Sequence, residues 1–369
     1  MRTIPAAMVL ALTLLGGCGG DSASSSPSAP DGGGAIDPAL SDAGAPARDD
    51  AAPQSRADAG SDAARADGAT DAASTADAAA VADPNADGPY PYAEKDATTV
   101  VAATGDNVAL HVAYPTGAGS FPIVLLGHGF QLPPSQYYGY LKRLASFGYV
   151  AMTVDYPAAF SGPNNPNEAK DLIAGIDWAK ADATFGANVD GTLVGTTGHS
   201  LGGKVALLAA TLDARVKASI ALDPVDGGGP SGCTPPACVT VANLLPSLHV
   251  PTGFLGETTD ATGSFQACAP AASNYTTFYA KANAPSLEVT VTGANHVSFL
   301  DDVSTCGTTC SFCKAATAPN AQVNGTARAF VVAFFERYLR GNAAYDAFLT
   351  GSVAQARYVA TSQAVIVSK

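Results

Sequence analysis

Aromatic residues are missing from the beginning of the chain, because none of the first 89 residues is Phe, Trp or Tyr. From Gly19 to Pro89 the composition is mostly Ala, Asp, Ser, Gly and Pro. A segment without large apolar side chains cannot bury enough surface to offset the entropy that it would lose on ordering. Residues 18–89 are therefore predicted to form a disordered, acidic tether, and the folded domain is predicted to span residues 90–369.

Positive charge is also scarce. The chain has 19 Lys and Arg against 32 Asp and Glu, which gives a formal net charge of −13. Much of this excess lies between Gly19 and Pro89, where 13 Asp are accompanied by 3 Arg. The acidic balance is thus mainly a property of the tether and says little about a substrate. Nucleic-acid binding would require a basic face, so no nucleic-acid partner is expected.

Long apolar runs are absent, since no stretch reaches the roughly 20 residues that a membrane-spanning helix needs. The opening MRTIPAAMVLALTLLGGC places one Arg before about twelve mostly apolar residues, which predicts a signal peptide at residues 1–17. The tetrad Leu15-Gly16-Gly17-Cys18 resembles a bacterial lipobox. We expect lipid on Cys18 to be the only membrane anchor of an exported protein. The alternative is an ordinary secretory signal with an incidental Cys.

Cysteine is sparse, with seven in the chain and six of them in the predicted domain. An even number in an exported protein indicates up to three disulfides, although spacing alone does not fix their pairing. The last three cysteines also have the spacing of an iron–sulfur site in radical enzymes, but such a cluster fits an exported chain poorly. The six are Cys233, Cys238, Cys268, Cys306, Cys310 and Cys313.

The pattern of the remaining residues predicts an α/β fold. The runs TTVVAAT and NVALHVAYP indicate a hairpin that turns at Gly105-Asp106. Buried-strand patterns such as FPIVLLG and YVAMTVD then alternate with helical patterns such as PNEAKDLIAGIDWAKAD and TARAFVVAFFERYLR. This alternation predicts one mostly parallel central sheet with helices on both faces.

A candidate nucleophile lies in VGTTGHSLGGKVALLAATL, where Ser200 is the centre of a G-x-S-x-G motif. Small residues, a sharp turn and an Ala/Leu-rich helix follow one another here, which is the strand–turn–helix context of a nucleophile elbow. The backbone amide of Leu201, directly after Ser200, would then be one oxyanion donor. The second would be the amide of Phe130, in the GHGF loop that follows strand IVLLG.

A serine nucleophile requires a base, and the chain offers five His. His296 follows the last strand and comes late in the chain, as the base does in Ser…Asp…His hydrolases. We therefore predict that His296 is the base. Of the others, His111 lies inside an early strand and is expected to be structural, and His249 precedes a strand on the side away from the site. His199 adjoins the nucleophile, at a point of the elbow that is expected to pack away from it, and His128 lies in the GHG loop after the third strand.

Sequence spacing alone does not decide which residue is the acid that orients the base. Asp223 ends the strand beside the nucleophile strand, whereas Glu257 and Asp260 follow the next strand along the chain. All three lie at carboxyl ends, where the site residues of an open α/β sheet gather.

These motifs resemble the chlorophyllase branch of the α/β-hydrolases. The similar stretches VLLGHGFQLPPSQYYGYLKRLASFGYV, GHSLGGKVALLAA, IALDPVDG and GANHVSFLDD come in that family's order, within Phe121–Asp302. The sequence is also similar to platelet-activating-factor acetylhydrolases and, more distantly, to bacterial polyester hydrolases. The resemblance implies an α/β-hydrolase fold. Because the acid in the first two groups ends the strand next to the nucleophile, it also implies a triad of Ser200, Asp223 and His296.

The expected function is that of a serine ester hydrolase with an acyl-enzyme intermediate, which needs no metal or organic cofactor. Its substrate would be a small-molecule or polymeric ester. Leu201 stands where plant chlorophyllases have Arg, so the resemblance implies ester hydrolysis more firmly than chlorophyll cleavage. Alternatives are chlorophyllase activity itself, a polyester or lipid hydrolase acting at a surface, an acyl-transferase and a non-catalytic binding protein. Aromatic residues expected near an apolar pocket are Tyr137, Tyr138, Phe160 and Phe299.

Overall fold

The computed structural model describes residues 81–157, 162–227, 233–262 and 267–369. Nine strands form one sheet in the order β1-β2-β4-β3-β5-β6-β7-β8-β9. In chain order they are β1 Tyr92–Val100, β2 Asn107–Pro115, β3 Phe121–Gly127, β4 Val150–Asp155, β5 Val189–His199, β6 Val216–Leu222, β7 Thr252–Glu257, β8 Ser286–Val291 and β9 Ala364–Ser368.

The centre of the sheet is parallel and its edges are antiparallel. Strands β4, β3, β5, β6, β7 and β8 run in the same direction. The hairpin β1–β2 joins β4 in antiparallel register, and β9 does the same beside β8. Strand β3 is buried along its whole length, as a central strand covered on both faces must be. The predicted mostly parallel α/β fold is confirmed.

Helices cover both faces of this sheet. Residues of α1 and α5 pack into one apolar layer, and residues of α2, α3 and α4 pack into the layer on the opposite face. Among the described residues, no helix combines the length and the apolarity needed to cross a membrane. The helices are α1 Tyr138–Ser146, α2 Asn165–Ala181, α3 Leu201–Leu212, α4 Tyr275–Lys281, α5 Asn320–Tyr338, α6 Asp346–Leu349 and α7 Ser352–Ala354, followed by a π-helical turn at Gln355–Val359.

The last residues assigned to the tether contact the domain. The Asp83 carboxylate lies 2.8 Å from the Arg357 guanidinium, and Tyr345 donates a hydrogen bond to the carbonyl of Ala82 at 3.0 Å. Asp87 lies 3.1 Å from Arg143 on α1. Ordered contacts therefore begin before Tyr90, where the sequence had placed the start of the domain.

Three disulfides stabilise the loops that follow the strands. Cys233 pairs with Cys238, Cys268 with Cys313, and Cys306 with Cys310. The iron–sulfur alternative is wrong for this structure, because all three cysteines of that spacing are disulfide-bonded.

Candidate active site

Ser200 occupies a sharp turn between β5 and α3. It is half-buried, and its φ of 56° with ψ of −121° is a backbone conformation that residues with a side chain rarely adopt. A Cβ atom at Gly202 would overlap the carbonyl oxygen of Gly127, at the end of the neighbouring strand β3. The small residues around Ser200 are therefore needed because the first turn of α3 packs directly on the sheet.

Ser200, His296 and Asp223 are connected by two hydrogen bonds. Nε2 of His296 lies 2.8 Å from the Ser200 hydroxyl, and Nδ1 of the same ring lies 2.6 Å from Oδ2 of Asp223. His296 begins a 3-10 turn after β8, and Asp223 directly follows β6 with a positive φ of 41°. The folded chain thus brings together three side chains that are spread over 96 positions of the sequence.

Burial and mutual attraction act in opposite directions on the two ionisable groups. Asp223 is fully buried, and burial raises the pKa of its carboxyl although the hydrogen bond from His296 opposes the rise. Burial alone would lower the pKa of His296, but the hydrogen bond and the charge of Asp223 raise it above its ordinary value. The contact with Asp223 therefore favours the protonated form of the imidazole.

The two predicted oxyanion donors are the backbone amides of Leu201 and Phe130. Leu201 is the first residue of α3, and the first amides of a helix have no acceptor within the helix. Phe130 is half-buried in the loop after β3, whose last residue Gly127 is paired in register with Gly198 of β5. Both predicted oxyanion donors therefore lie just beyond the carboxyl ends of adjacent strands.

Comparison with known proteins identifies the family of this chain. The family model named Chlorophyllase matches residues 81–357, which is more than half of the chain. The chain belongs to the chlorophyllase family. Chlorophyllase-1 of Arabidopsis thaliana is 30% identical over 206 residues, which cover 52% of this chain and 63% of that protein. The chain therefore spans somewhat less than two thirds of the length of this relative.

Relatives with other names match a shorter region. The bis(hydroxyethyl) terephthalate hydrolase of Streptomyces coelicolor is 27% identical over 150 residues, covering 40% of this chain and 48% of that protein. Lipase 1 of a Moraxella species is 29% identical over 150 residues, covering 40% and 46%. This member of the chlorophyllase family is thus also similar to bacterial enzymes named for other substrates.

The two alternative acids contact the backbone around the site instead of the imidazole. Oε2 of Glu257 accepts the amides of Thr259 and Asp260, the latter at 2.7 Å. Asp260 accepts the backbone amide of His296 at 2.8 Å and that of Lys314 at 2.8 Å. Burial, with a contribution from the charge of Asp223, raises the pKa of Glu257 to about 7. In this chlorophyllase-family site, Asp260 therefore binds the backbone amide of His296, and Asp223 binds the imidazole of the same residue.

His199 takes part in a set of hydrogen bonds that the sequence analysis did not predict. Its Nε2 lies 2.8 Å from the carbonyl oxygen of His296, and its Nδ1 lies 2.9 Å from the hydroxyl of Tyr137. That hydroxyl in turn accepts the amide of Gly129 at 3.1 Å. The only local signal was the position of His199, directly before the candidate nucleophile.

The remaining histidines lie apart from Ser200 and Asp223 in the hydrogen-bond network. His111 on β2 contacts Asp96 at 2.6 Å and stacks on Tyr138 with ring centroids 3.5 Å apart. His128 is buried, and its Nε2 lies 3.3 Å from the carbonyl oxygen of Tyr156. His249 is exposed before β7. His128 is thus a buried residue of the loop after β3, whereas His111 and His249 lie on β2 and before β7.

A buried ion pair stabilises the segment after Asp223. Lys204 on α3 is fully buried, with Nζ 3.4 Å from the Asp226 carboxylate and 3.2 Å from the carbonyl of Gly227. Asp226 also accepts the amides of Val241 and Ala242, each at 2.9 Å. Neither Asp226 nor Lys204 was predicted to take part in the site, although a lysine four positions after Ser200 in an apolar helix was a visible signal.

The proposed pocket aromatics have different environments. Tyr137 and Phe299 are fully buried within the apolar layer that contains α1 and α5, so neither is an open pocket wall. Tyr138 lies on a cleft of about 600 Å³ between the 133–138 segment and strands β1, β2 and β4. Phe160 lies outside the described residues.

One group of possible metal ligands occurs in the described part of the chain. The oxygen of Asp260 and the sulfurs of Cys268 and Cys313 lie within 4.8 Å of one another. Both sulfurs are joined in a disulfide. They cannot act as thiolate ligands, so this group does not fit a metal ion.

Proposed function

We propose that this chain is a serine ester hydrolase that acts through Ser200, His296 and Asp223. The pair of hydrogen bonds from Ser200 to His296 and from His296 to Asp223 is the observation on which this proposal rests. Membership of the chlorophyllase family and the relatives named as terephthalate hydrolase and lipase support the reaction class.

In the proposed reaction, Nε2 of His296 takes the hydroxyl proton as the oxygen of Ser200 attacks the ester carbonyl. Asp223 holds the ring and stabilises the imidazolium. The amides of Phe130 and Leu201 stabilise the oxyanion of the tetrahedral intermediate. His296 returns the proton to the leaving alcohol, and an acyl ester of Ser200 remains. Water, deprotonated by His296, then releases the acid and restores the hydroxyl.

Activity of the purified full-length chain toward p-nitrophenyl esters from acetate to palmitate tests this reaction, with chlorophyll a as a further substrate. Ser200→Ala and Asp223→Asn should lower kcat by several orders of magnitude. Asp213→Asn, which changes a carboxylate in a peripheral ion pair with Arg215, is the matched control and should keep its activity. Equal turnover by wild type and Ser200→Ala would refute a serine mechanism.

A second candidate, hydrolysis of esters at a lipid or polymer surface, is favoured by Phe312. Its side chain is 72% exposed on a segment held by the Cys268–Cys313 and Cys306–Cys310 disulfides. Two residues later, the amide of Lys314 binds Asp260, which also binds the backbone of His296. The exposed ring of Phe312 therefore lies on a disulfide-bonded loop near His296, where it could contact an insoluble ester.

We further propose export and lipid anchoring at Cys18, which lies outside the described residues. The support is the sequence pattern Leu15-Gly16-Gly17-Cys18 after an apolar run. Expression in a bacterium should give protein in the membrane fraction, and the Cys18→Ala variant should be absent from that fraction. Mass spectrometry of the mature N-terminal peptide would detect the acyl chains. An unmodified Cys18 in the mature protein would contradict the proposal.

A further inference from the structure

The hydrogen bonds between Gly129 and His296 fix the position of every proton along them. The carbonyl oxygen of His296 can only accept, so Nε2 of His199 must carry a proton and donate it. In a neutral imidazole Nδ1 is then an acceptor, and the Tyr137 hydroxyl donates to it. The phenol oxygen is left to accept the amide proton of Gly129.

Neutral His199 is also what the surroundings require. The ring is fully buried, and burial together with repulsion from a protonated His296 holds the pKa of His199 well below its usual range. The two imidazole centroids are 4.7 Å apart. A second positive charge at this distance would oppose formation of the His296 imidazolium.

The two ends of this chain of hydrogen bonds belong to different parts of the site. Gly129 directly precedes Phe130, the proposed oxyanion donor, whereas the other end is the backbone of His296 itself. The packing leaves little freedom, since a Cβ atom at Gly129 would lie 3.1 Å from the Tyr137 oxygen and 3.2 Å from Nδ1 of His199. A shift of the loop after β3 must therefore move Tyr137 and His199 with it.

We propose that Tyr137 and His199 are positioning residues, which hold the oxyanion loop and the base in one fixed geometry through the contacts Gly129–Tyr137–His199–His296. This inference rests on the proposed ester hydrolysis. Displacement of a reacting group by about 1 Å can cost on the order of 10²-fold in rate, so the position of these two loops matters to the chemical step.

Tyr137→Phe removes the hydroxyl, and His199→Leu removes both ring nitrogens. Each should lower kcat about 10- to 100-fold and change KM much less, since the oxyanion and imidazolium develop only in the transition state. His199→Gln can keep a donor to the His296 carbonyl and should retain more kcat than His199→Leu. The double variant Tyr137→Phe/His199→Leu should be little worse than the poorer single variant, because either change interrupts the same connection.

Tyr149→Phe is the matched control, because Tyr149 is also fully buried but donates its hydroxyl proton to Glu336. It should affect stability and leave kcat within about threefold of wild type. If Tyr137→Phe behaved like Tyr149→Phe, or if the two changes in the double variant were fully additive, the positioning role would be overturned.

Amide hydrogen exchange tests the same connection without turnover. Tyr137→Phe should raise exchange in the 127–132 segment and also in the 294–300 segment, although Tyr137 is bonded to His296 only through His199. Tyr149→Phe should raise neither. If exchange in 294–300 did not respond to Tyr137→Phe, the connection would be refuted. If it responded but Ser200→Ala turned over esters like wild type, the proposed reaction would fail while the connection held.

Discussion

The Asp223 carboxylate meets the His296 imidazole at 2.6 Å, and both side chains are almost completely shielded from solvent. In the proposed reaction a neutral His296 accepts the Ser200 proton, so kcat/KM should rise with pH through the raised pKa of this residue. In Asp223→Asn the attraction is lost, so the acidic limb should move to lower pH while kcat falls about 10⁴-fold. Full pH profiles of both proteins measure this. An acidic limb that stayed in place would show that Asp223 does not set the pKa of the base.

Glu257 should make the protein less stable as pH rises. Its folded-state pKa of about 7 lies above the ordinary 4.5, so the folded chain binds this proton more tightly than the unfolded chain. The free energy of unfolding should therefore decrease between about pH 4.5 and 7, by roughly 3 kcal/mol from this group.

Glu257→Gln should remove that part of the pH dependence, because the amide oxygen can still accept the Thr259 and Asp260 amides. Urea unfolding between pH 5 and 8 gives the comparison, with Asp87→Asn, whose side chain is 77% exposed, as the control for a lost carboxylate. Parallel stability curves for wild type and Glu257→Gln would contradict the expectation.

The Cys268–Cys313 disulfide should contribute more to stability and activity than the neighbouring Cys306–Cys310 disulfide. It closes a loop of 45 residues, which in the chain-entropy account stabilises the fold by roughly 4 kcal/mol. It also joins the loop after β7 to the segment whose Lys314 amide binds Asp260. Replacing both cysteines by Ser should lower Tm and kcat together.

The short Cys306–Cys310 loop, with a sequence separation of 4, is the internal control and should contribute roughly 2 kcal/mol. Calorimetry and p-nitrophenyl ester turnover of the two double-Ser variants measure the contrast. Equal losses from both pairs would argue against this account.

Phe312→Ser should separate action on a surface from action in solution. Removing an exposed apolar ring should leave p-nitrophenyl acetate turnover unchanged and lower the rate on a dispersed polyester or emulsified triglyceride severalfold. Leu212→Ser, which changes a 53% exposed side chain at the end of α3 away from Ser200, is the matched control. If both variants acted on the dispersed substrate like wild type, Phe312 would have no role at a surface.

Much of the fold could be predicted because its central strands are short, mostly apolar runs. Strand β3 is one example, because FPIVLLG is a continuous apolar run. Helix α3 was predictable as well, because LGGKVALLAATL is rich in Ala and Leu after a glycine-containing turn. Strand β9 and helix α4 were missed. Both are short and partly polar, and tertiary pairing stabilises them more than local preference does.

Spacing alone could predict the candidate site only up to the choice of acid, and the family resemblance then favoured Asp223. Asp223 and Glu257 both stand at carboxyl ends of adjacent parallel strands, so sequence spacing treats them alike. The difference is made by the turn after β6, where a positive φ of 41° accompanies the Asp223–His296 contact. The Tyr137–His199 contact could not be predicted for a similar reason, since it joins residues 62 positions apart.

The positive φ angles of Ser200 and Asp223 have a consequence for how variants of this protein would be selected. Backbone of this kind costs on the order of 1–3 kcal/mol at each residue, and glycine would relieve it. Ser200→Gly and Asp223→Gly should therefore approach or exceed wild type in thermal stability while lacking activity. A screen that rewarded heat resistance alone would enrich inactive proteins, so any directed evolution of this chain has to select on turnover at every round.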